Sequence, residues 1–228
     1  MAEKSFDIDS WMREYADAVR RKFGGRVQFI GLQGSFARGE ATDTSDIDAV
    51  LILDVFSAQD LADYGSLLES LPERERVCGF VSGRAEIEAW EKSELFFFCC
   101  DTVPLFGSLE NLMRYVTDDD VRRAVRIGAG AAYHAGVHNF LHEKSAEILG
   151  SLYKQAAFTL RAEAYLKTGT FERKLARLVE ALPPDDAALA KDCLRFRQGG
   201  EIKLTDDEFA RLSERLIAWA SRTIQSVR

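Results

Sequence analysis

The chain is poor in cysteine, histidine and proline, and short of positive charge. Its four cysteines, at positions 78, 99, 100 and 193 of 228, show no C-x-x-C spacing, which argues against a disulfide framework or a structural zinc centre. Thirty Lys and Arg against thirty-seven Asp and Glu give a net charge of −7, so no broad basic face is offered to long nucleic acid. No apolar run approaches the length of a membrane span, and the opening Met1 to Asp9 is polar and acidic, without the apolar centre of a signal peptide. A soluble, cytoplasmic protein without a membrane partner is expected. Two common nucleotide-binding signatures are also missing: there is no G-x-x-x-x-G-K-[ST], and no G-x-G-x-x-G after a strand. What remains is 46% hydrophobic and 11% aromatic, enough for one large or two small cores.

One stretch carries most of the chemistry. Gly34 to Leu53 reads G-S-F-A-R-G-E-A-T-D-T-S-D-I-D-A-V-L-I-L: a Gly-Ser turn, a short helix from Phe36, a polar loop ending in Ser45, then a strand that carries Asp46 and Asp48 into an apolar run. Side chains alternate along a strand, so the two aspartates are expected on one face, with Ile47 turned into the core alongside Val50 and Ile52. Paired carboxylates repel unless a cation lies between them, and hard oxygen ligands suit Mg²⁺, which takes one or two carboxylates plus phosphate oxygens. Gly34 has no β-carbon to keep a phosphate from the main chain, and Ser35 adds a hydroxyl donor at the helix start.

Gly34-Ser35 followed by Ser45-Asp46-Ile47-Asp48, with apolar strands at Val27 to Leu32 and Ala49 to Leu53, resembles the signature of the DNA polymerase β-type nucleotidyltransferases. The Arg38-Gly39 pair inside it is similar to the small bacterial branch of minimal and antibiotic nucleotidyltransferases. The resemblance implies that Asp46 and Asp48 are catalytic and hold Mg²⁺, in a one- or two-metal site. It also implies that Gly34, Ser35, Arg38 and Ser45 belong to the nucleotide-binding loop, Arg38 as a buttress. The substrate so implied is a nucleoside triphosphate, by family frequency ATP.

The same resemblance implies a third carboxylate on the strand after the next helix. The helix is expected over Ser57 to Leu71 and the strand over Arg76 to Val81, but that strand holds no acid, and Cys78 or a neighbour stands in its place. Glu75, Glu86, Glu88 and Asp101 remain as substitutes among which the sequence does not choose. Because a positioned general base contributes about 10²- to 10⁴-fold, the chain reads either as a specialised transferase or as a nucleotide-binding regulatory protein without turnover.

Asp9 or Ser10 is expected to cap a first helix with Trp11, Tyr15, Val19 and Phe23 on one face. Further strands are expected near Arg26 to Gln33, Asp46 to Asp54 and Leu95 to Asp101, a helix near Gly83 to Trp90, and a closing strand within Asp101 to Gly107. From Ser108 strand signals vanish, and helices are expected over Asp118 to His142, Ser145 to Lys167, Phe171 to Leu182, Asp185 to Phe196 and Thr205 to Val227, broken at Gly169, Pro183-Pro184 and Gly199-Gly200. The fold class is α+β, a mixed sheet with flanking helices in residues 1–116, followed by an all-α bundle in 117–228. That second half resembles, in architecture only, the HEPN-type helical proteins that pair with minimal nucleotidyltransferases. The Arg and closely following His of HEPN ribonucleases are absent.

His134, His138 and His142 recur every four residues along the first helix of the bundle, a spacing that edges a helix interface more readily than it builds a metal site. Lys154, Arg161 and Lys167 follow on the next helix, and Lys154 is the one assigned to the nucleotide. The combined reading is a Mg²⁺-dependent nucleotidyltransferase. It would move AMP from ATP onto a hydroxyl of a small molecule or protein and release pyrophosphate. An antitoxin-like, protein-modifying partner is the remaining alternative, and apolar faces on more than one side of the bundle leave room for a homodimer.

Overall fold

In the computed structural model residues 6–197 and 202–227 are described; the break expected at Gly199-Gly200 lies outside them. The chain divides into two compact units, one ending at Tyr115 and the other beginning at Val116.

The first unit contains α1 (Ile8–Phe23), β1 (Val27–Leu32), α2 (Gly34–Arg38), β2 (Ile47–Leu53), α3 (Ala58–Glu69), β3 (Val77–Gly83), α4 (Arg84–Glu88), α5 (Lys92–Asp101), β4 (Val103–Phe106) and α6 (Glu110–Met113). The strands form one mixed sheet in the order β3-β2-β1-β4, with β2 and β3 parallel and β1 antiparallel to both β2 and β4. The cap of α1 is Asp7, not Asp9 or Ser10: its carboxylate accepts from the Ser10 N–H, earlier in the chain than expected and at the spacing an N-cap requires. Trp11, Tyr15, Val19 and Phe23 are buried as their spacing predicts. They share a core with Tyr64, Leu67, Leu68 and Leu71 from α3 and its end. Two polar contacts fix the packing angle: the Tyr15 and Tyr64 hydroxyls meet at 2.9 Å, and Trp11 Nε1 donates to Pro72 O at 2.8 Å.

Two expectations about the sheet are corrected. Ile47 shares its face with Ala49, Leu51 and Leu53, all in the core under α1 and α3, whereas Val50 and Ile52 lie on the Asp48 face. They are nonetheless buried. A strand covered on both sides is apolar at every position, which hides its alternation from the sequence. The segment Leu95 to Asp101 is not a strand but the body of α5, whose start is capped by Glu91 accepting from the Ser93 N–H. Its run Leu-Phe-Phe-Phe-Cys-Cys is apolar all round, so neither a period of two nor one of 3.6 emerges.

The second unit is helical: α7 (Asp118–His138), α8 (Ala146–Thr168), α9 (Leu175–Ala181), α10 (Pro184–Arg195) and α11 (Asp206–Ser226). Thr117 with Asp120 and Thr205 with Glu208 form reciprocal caps on α7 and α11, each satisfying two otherwise unpaired N–H groups. Gly169, in the left-handed region at φ +70°, ends α8. Leu149, Leu152, Tyr153, Leu160, Leu178, Leu189, Leu216 and Trp219 build the core.

The helix expected to run to His142 changes hand-hold at its end. Asn139–Glu143 is a π turn, closed by Lys144 at φ +50°, and Asn139 exchanges two hydrogen bonds with the Ser145 backbone. His134, His138 and His142 are exposed; the His138 and His142 rings lie 4.9 Å apart. Among the described residues no group of three or more His, Cys, Asp or Glu is disposed to hold a metal ion. Arg161 is fully buried and donates to the Ala157 carbonyl of its own helix and to the Arg173 carbonyl in the segment that follows α8.

Candidate active site

β1 ends beside the start of β2, where the Gln33 N–H donates to Asp48 O at 2.9 Å. The chain then turns through Gly34 at φ +73°, and a β-carbon built there would lie 1.7 Å from Asp48 Oδ2. Only glycine fits both the backbone conformation and this approach. The turn is thus laid directly against a carboxylate, which is the juxtaposition the motif predicts.

The following helix is short, as expected, but begins at Gly34 rather than at Phe36. α2 has five residues and stops at Gly39, in the left-handed region at φ +66°, with the Glu40 N–H returning to Ser35 O at 2.8 Å. Five residues sum to a small dipole, so anion binding here rests on local N–H groups and the Ser35 hydroxyl more than on a macrodipole.

Arg38 is nearly buried, and its guanidinium is shared by two acids: Nη1 donates to Asp101 Oδ2 at 2.5 Å and Nε to Glu40 Oε2 at 3.2 Å. The next residue, Thr102, is also buried and takes the Gln33 side-chain amide on its Oγ1 at 2.7 Å, while that amide reaches Phe98 O at 3.3 Å. The end of α5 therefore grips the Gly34 turn on both sides, at Gln33 and at Arg38. The polar loop has its own lock. Ser45 Oγ accepts from the Thr42 N–H, and Ser45 O accepts from Nε and Nη2 of Arg76, whose guanidinium stacks 4.7 Å over the Phe6 ring.

Asp46 is exposed and Asp48 half-buried. The Asp48 carboxyl is held above the ordinary carboxylate range, first by burial, then by the charge of Asp46 and, more weakly, that of Asp101; Arg38 opposes the rise. Several carboxylates crowding one partly desolvated point define a place where a cation is favourable. Of the four substitutes for the missing strand acid, Asp101 is the one whose charge acts on Asp48. Glu75 and Glu86 are exposed, and Glu88 pairs with Arg84 at 2.7 Å. β3 itself sets Cys78 opposite Asp48.

Residues 12–99 match the sequence profile of the nucleotidyltransferase domain. Over 73 residues the chain is 33% identical to a Methanocaldococcus jannaschii protein whose name proposes it as a protein adenylyltransferase, an alignment taking in 29% of this chain and 73% of that one. The chain belongs to the DNA polymerase β-type nucleotidyltransferases. The fold of a spectinomycin adenyltransferase from Enterococcus faecialis, crystallised with ATP and spectinomycin, superposes with a TM-score of 0.55 at 14% identity, over 92% of this chain and 99% of that one. A nucleotidyltransferase sheet followed by a helical C-terminal region is thus an arrangement the two proteins share.

Within this nucleotidyltransferase, Gly34, Ser35, Arg38, Ser45, Asp46 and Asp48 gather at one end of the sheet. Lys154 is in the second unit, exposed on α8. The sequence missed the bracing residues Gln33, Glu40, Arg76 and Thr102. Each is a common polar residue in a loop or at an element end, and the Gln33–Thr102 contact becomes visible only when α5 is known to be a helix.

Proposed function

We propose that this nucleotidyltransferase transfers AMP from ATP to a hydroxyl acceptor, with pyrophosphate as the second product. The observation that carries the reading is the close approach of the Gly34 turn to Asp48. Triphosphate oxygens received by the Ser35 hydroxyl and the neighbouring N–H groups would come to lie beside the two aspartates. The name of the M. jannaschii relative and the ATP in the spectinomycin enzyme support adenylyl transfer.

The donor set fits a hard divalent cation. Asp46 and Asp48 offer carboxylate oxygens, and among the described residues no third ligand joins them in a cage, as suits Mg²⁺ that completes its shell with phosphate oxygens and water. When bound, Mg²⁺ would neutralise charge on the phosphates and polarise the α-phosphoryl group. The chain's own residues do the rest. Gly34 and Ser35 orient the β- and γ-phosphates, Arg38 braces that turn through Asp101 and Glu40, and Ser45 holds the loop that delivers Asp46.

A specific observation favours a second reading, nucleotide binding without turnover: the position opposite Asp48 on β3 is Cys78 rather than an acid. ATP labelled at the α-phosphate separates the two. Adenylyl transfer predicts label in an acceptor and stoichiometric pyrophosphate, both lost in Asp46→Asn and in Asp48→Asn; label remaining in ATP throughout would leave only binding.

A further inference from the structure

The helical unit holds a cavity of about 600 Å³ between the π turn that ends α7 and the start of α11, a volume in the range of small-molecule sites. Most of its lining is apolar, with Phe140 and Leu141 from the π turn facing Leu204 and Phe209 from the entry to α11. The Phe140 and Phe209 rings are parallel to within 2°, their centroids 6.3 Å apart. Leu141 is 59% exposed, a large apolar side chain left in water beside an apolar cavity.

Two charges complete the lining, Lys144 and Asp206. Both are exposed, and among the described residues neither side chain has a hydrogen-bond or ion-pair partner, not even the other. A second cavity in the same unit shows the contrast: its cations Arg122, Lys167 and Arg222 are already matched, to Asp119, Glu163 and Asp186. Lys144 is also fixed by its backbone. At φ +50° it closes the π turn, and its N–H donates to Asn139 O at 2.7 Å. Lysine is a strained choice in the left-handed region, and π turns collect at functional sites.

An apolar cavity with one unmatched charge of each sign at its edge is complementary to a molecule built the same way. We propose that it binds a free α-amino acid with a large apolar side chain, an aromatic one above all. The side chain packs against Phe140, Leu141, Leu204 and Phe209, where a ring meets two others; the α-carboxylate accepts from Lys144 Nζ, and the α-ammonium donates to Asp206. A ligand with a single charge would cover the second protein charge without satisfying it. The amino acid is a ligand and not an acceptor, so the site stands whether or not adenylyl transfer does.

The test is calorimetric titration of the full chain, free of nucleotide, with L-phenylalanine, with its decarboxylated and deaminated analogues 2-phenylethylamine and 3-phenylpropionate, and with L-alanine. L-Phenylalanine is expected to bind at least about tenfold more tightly than any of the others, a difference of 1.4 kcal/mol. Two exposed substitutions place the ligand. Lys144→Asn, which keeps a residue tolerant of the left-handed region, should weaken L-phenylalanine about tenfold and leave 2-phenylethylamine unchanged. Asp206→Asn should weaken L-phenylalanine equally and leave 3-phenylpropionate unchanged. No binding of L-phenylalanine at millimolar concentration, equal binding of either analogue or of L-alanine, or an unchanged L-phenylalanine affinity in either variant overturns the proposal.

Discussion

A β-carbon on Gly34 would stand 1.7 Å from Oδ2 of Asp48, so the residue proposed to admit the phosphate and the residue proposed to hold the metal are packed without room for a methyl group between them. Gly34→Ala is expected to push the Asp48 carboxylate aside and to strain a backbone at φ +73°. A displacement of this order costs about 10²-fold in turnover, with about 1–3 kcal/mol of stability lost to strain. Pyrophosphate release and urea unfolding of the same variant check both figures.

The Arg38–Asp101 pair is enclosed, with side chains 8% and 10% exposed. Removing one member of such a pair is far more costly than the pair is stabilising, about 3–5 kcal/mol, because the carboxylate stays buried beside Asp48 without this counter-charge. Arg38→Ala is therefore expected to unfold at a markedly lower urea concentration than Asp101→Asn. Equal midpoints would show that the ion pair is incidental.

Asp48 predicts a trade of stability for function. Its folded pKa is raised above 3.8 by burial and by Asp46, so the ionised form is disfavoured. Stability is then highest below 3.8 and falls as the pH rises from there through the folded pKa. In metal-free protein at neutral pH, Asp48→Asn is expected to be more stable than wild type by about 0.5–2 kcal/mol, the gap closing in acid. Mg²⁺ should raise the melting temperature of wild type and leave the variant unmoved.

Much of this was legible before the structure because the motif is local. Gly34, Ser35, Asp46 and Asp48 lie within fifteen residues, and turn chemistry and strand alternation suffice to bring them together. What escaped depends on distant partners. The run from Leu95 to Cys100 is apolar at every position, and read as a strand it kept Phe98, Asp101 and Thr102 from being seen as one face of a helix. Val50 and Ile52 were set on the wrong face because β2 is covered on both sides. Nothing local signals that the Arg161 guanidinium serves the Arg173 carbonyl.

Away from the site, Arg26 at the entry to β1 donates to both oxygens of Asp60 at 2.6 and 3.0 Å, and the Ser57 hydroxyl and N–H add to them. Hydrogen bonding from Arg26 first, then Ser57, holds the Asp60 carboxyl well below the ordinary 3.8. A depressed acid contributes stability that is full above its unfolded pKa and lost as the pH falls through its folded one. Asp60→Asn should melt lower than wild type at neutral pH, and the deficit should shrink only below pH 3.8. Thermal melts at a series of pH values decide it.

The central claim, that Gly34, Ser35, Asp46 and Asp48 form one metal-triphosphate site, is tested most directly by calorimetric titration of ATP into wild type and the Asp46→Asn/Asp48→Asn double variant, with Mg²⁺ and with a chelator. Binding that appears with Mg²⁺ in wild type and vanishes both on chelation and in the double variant is the predicted result. ATP bound with the same affinity in the chelator, or by the double variant, would contradict it.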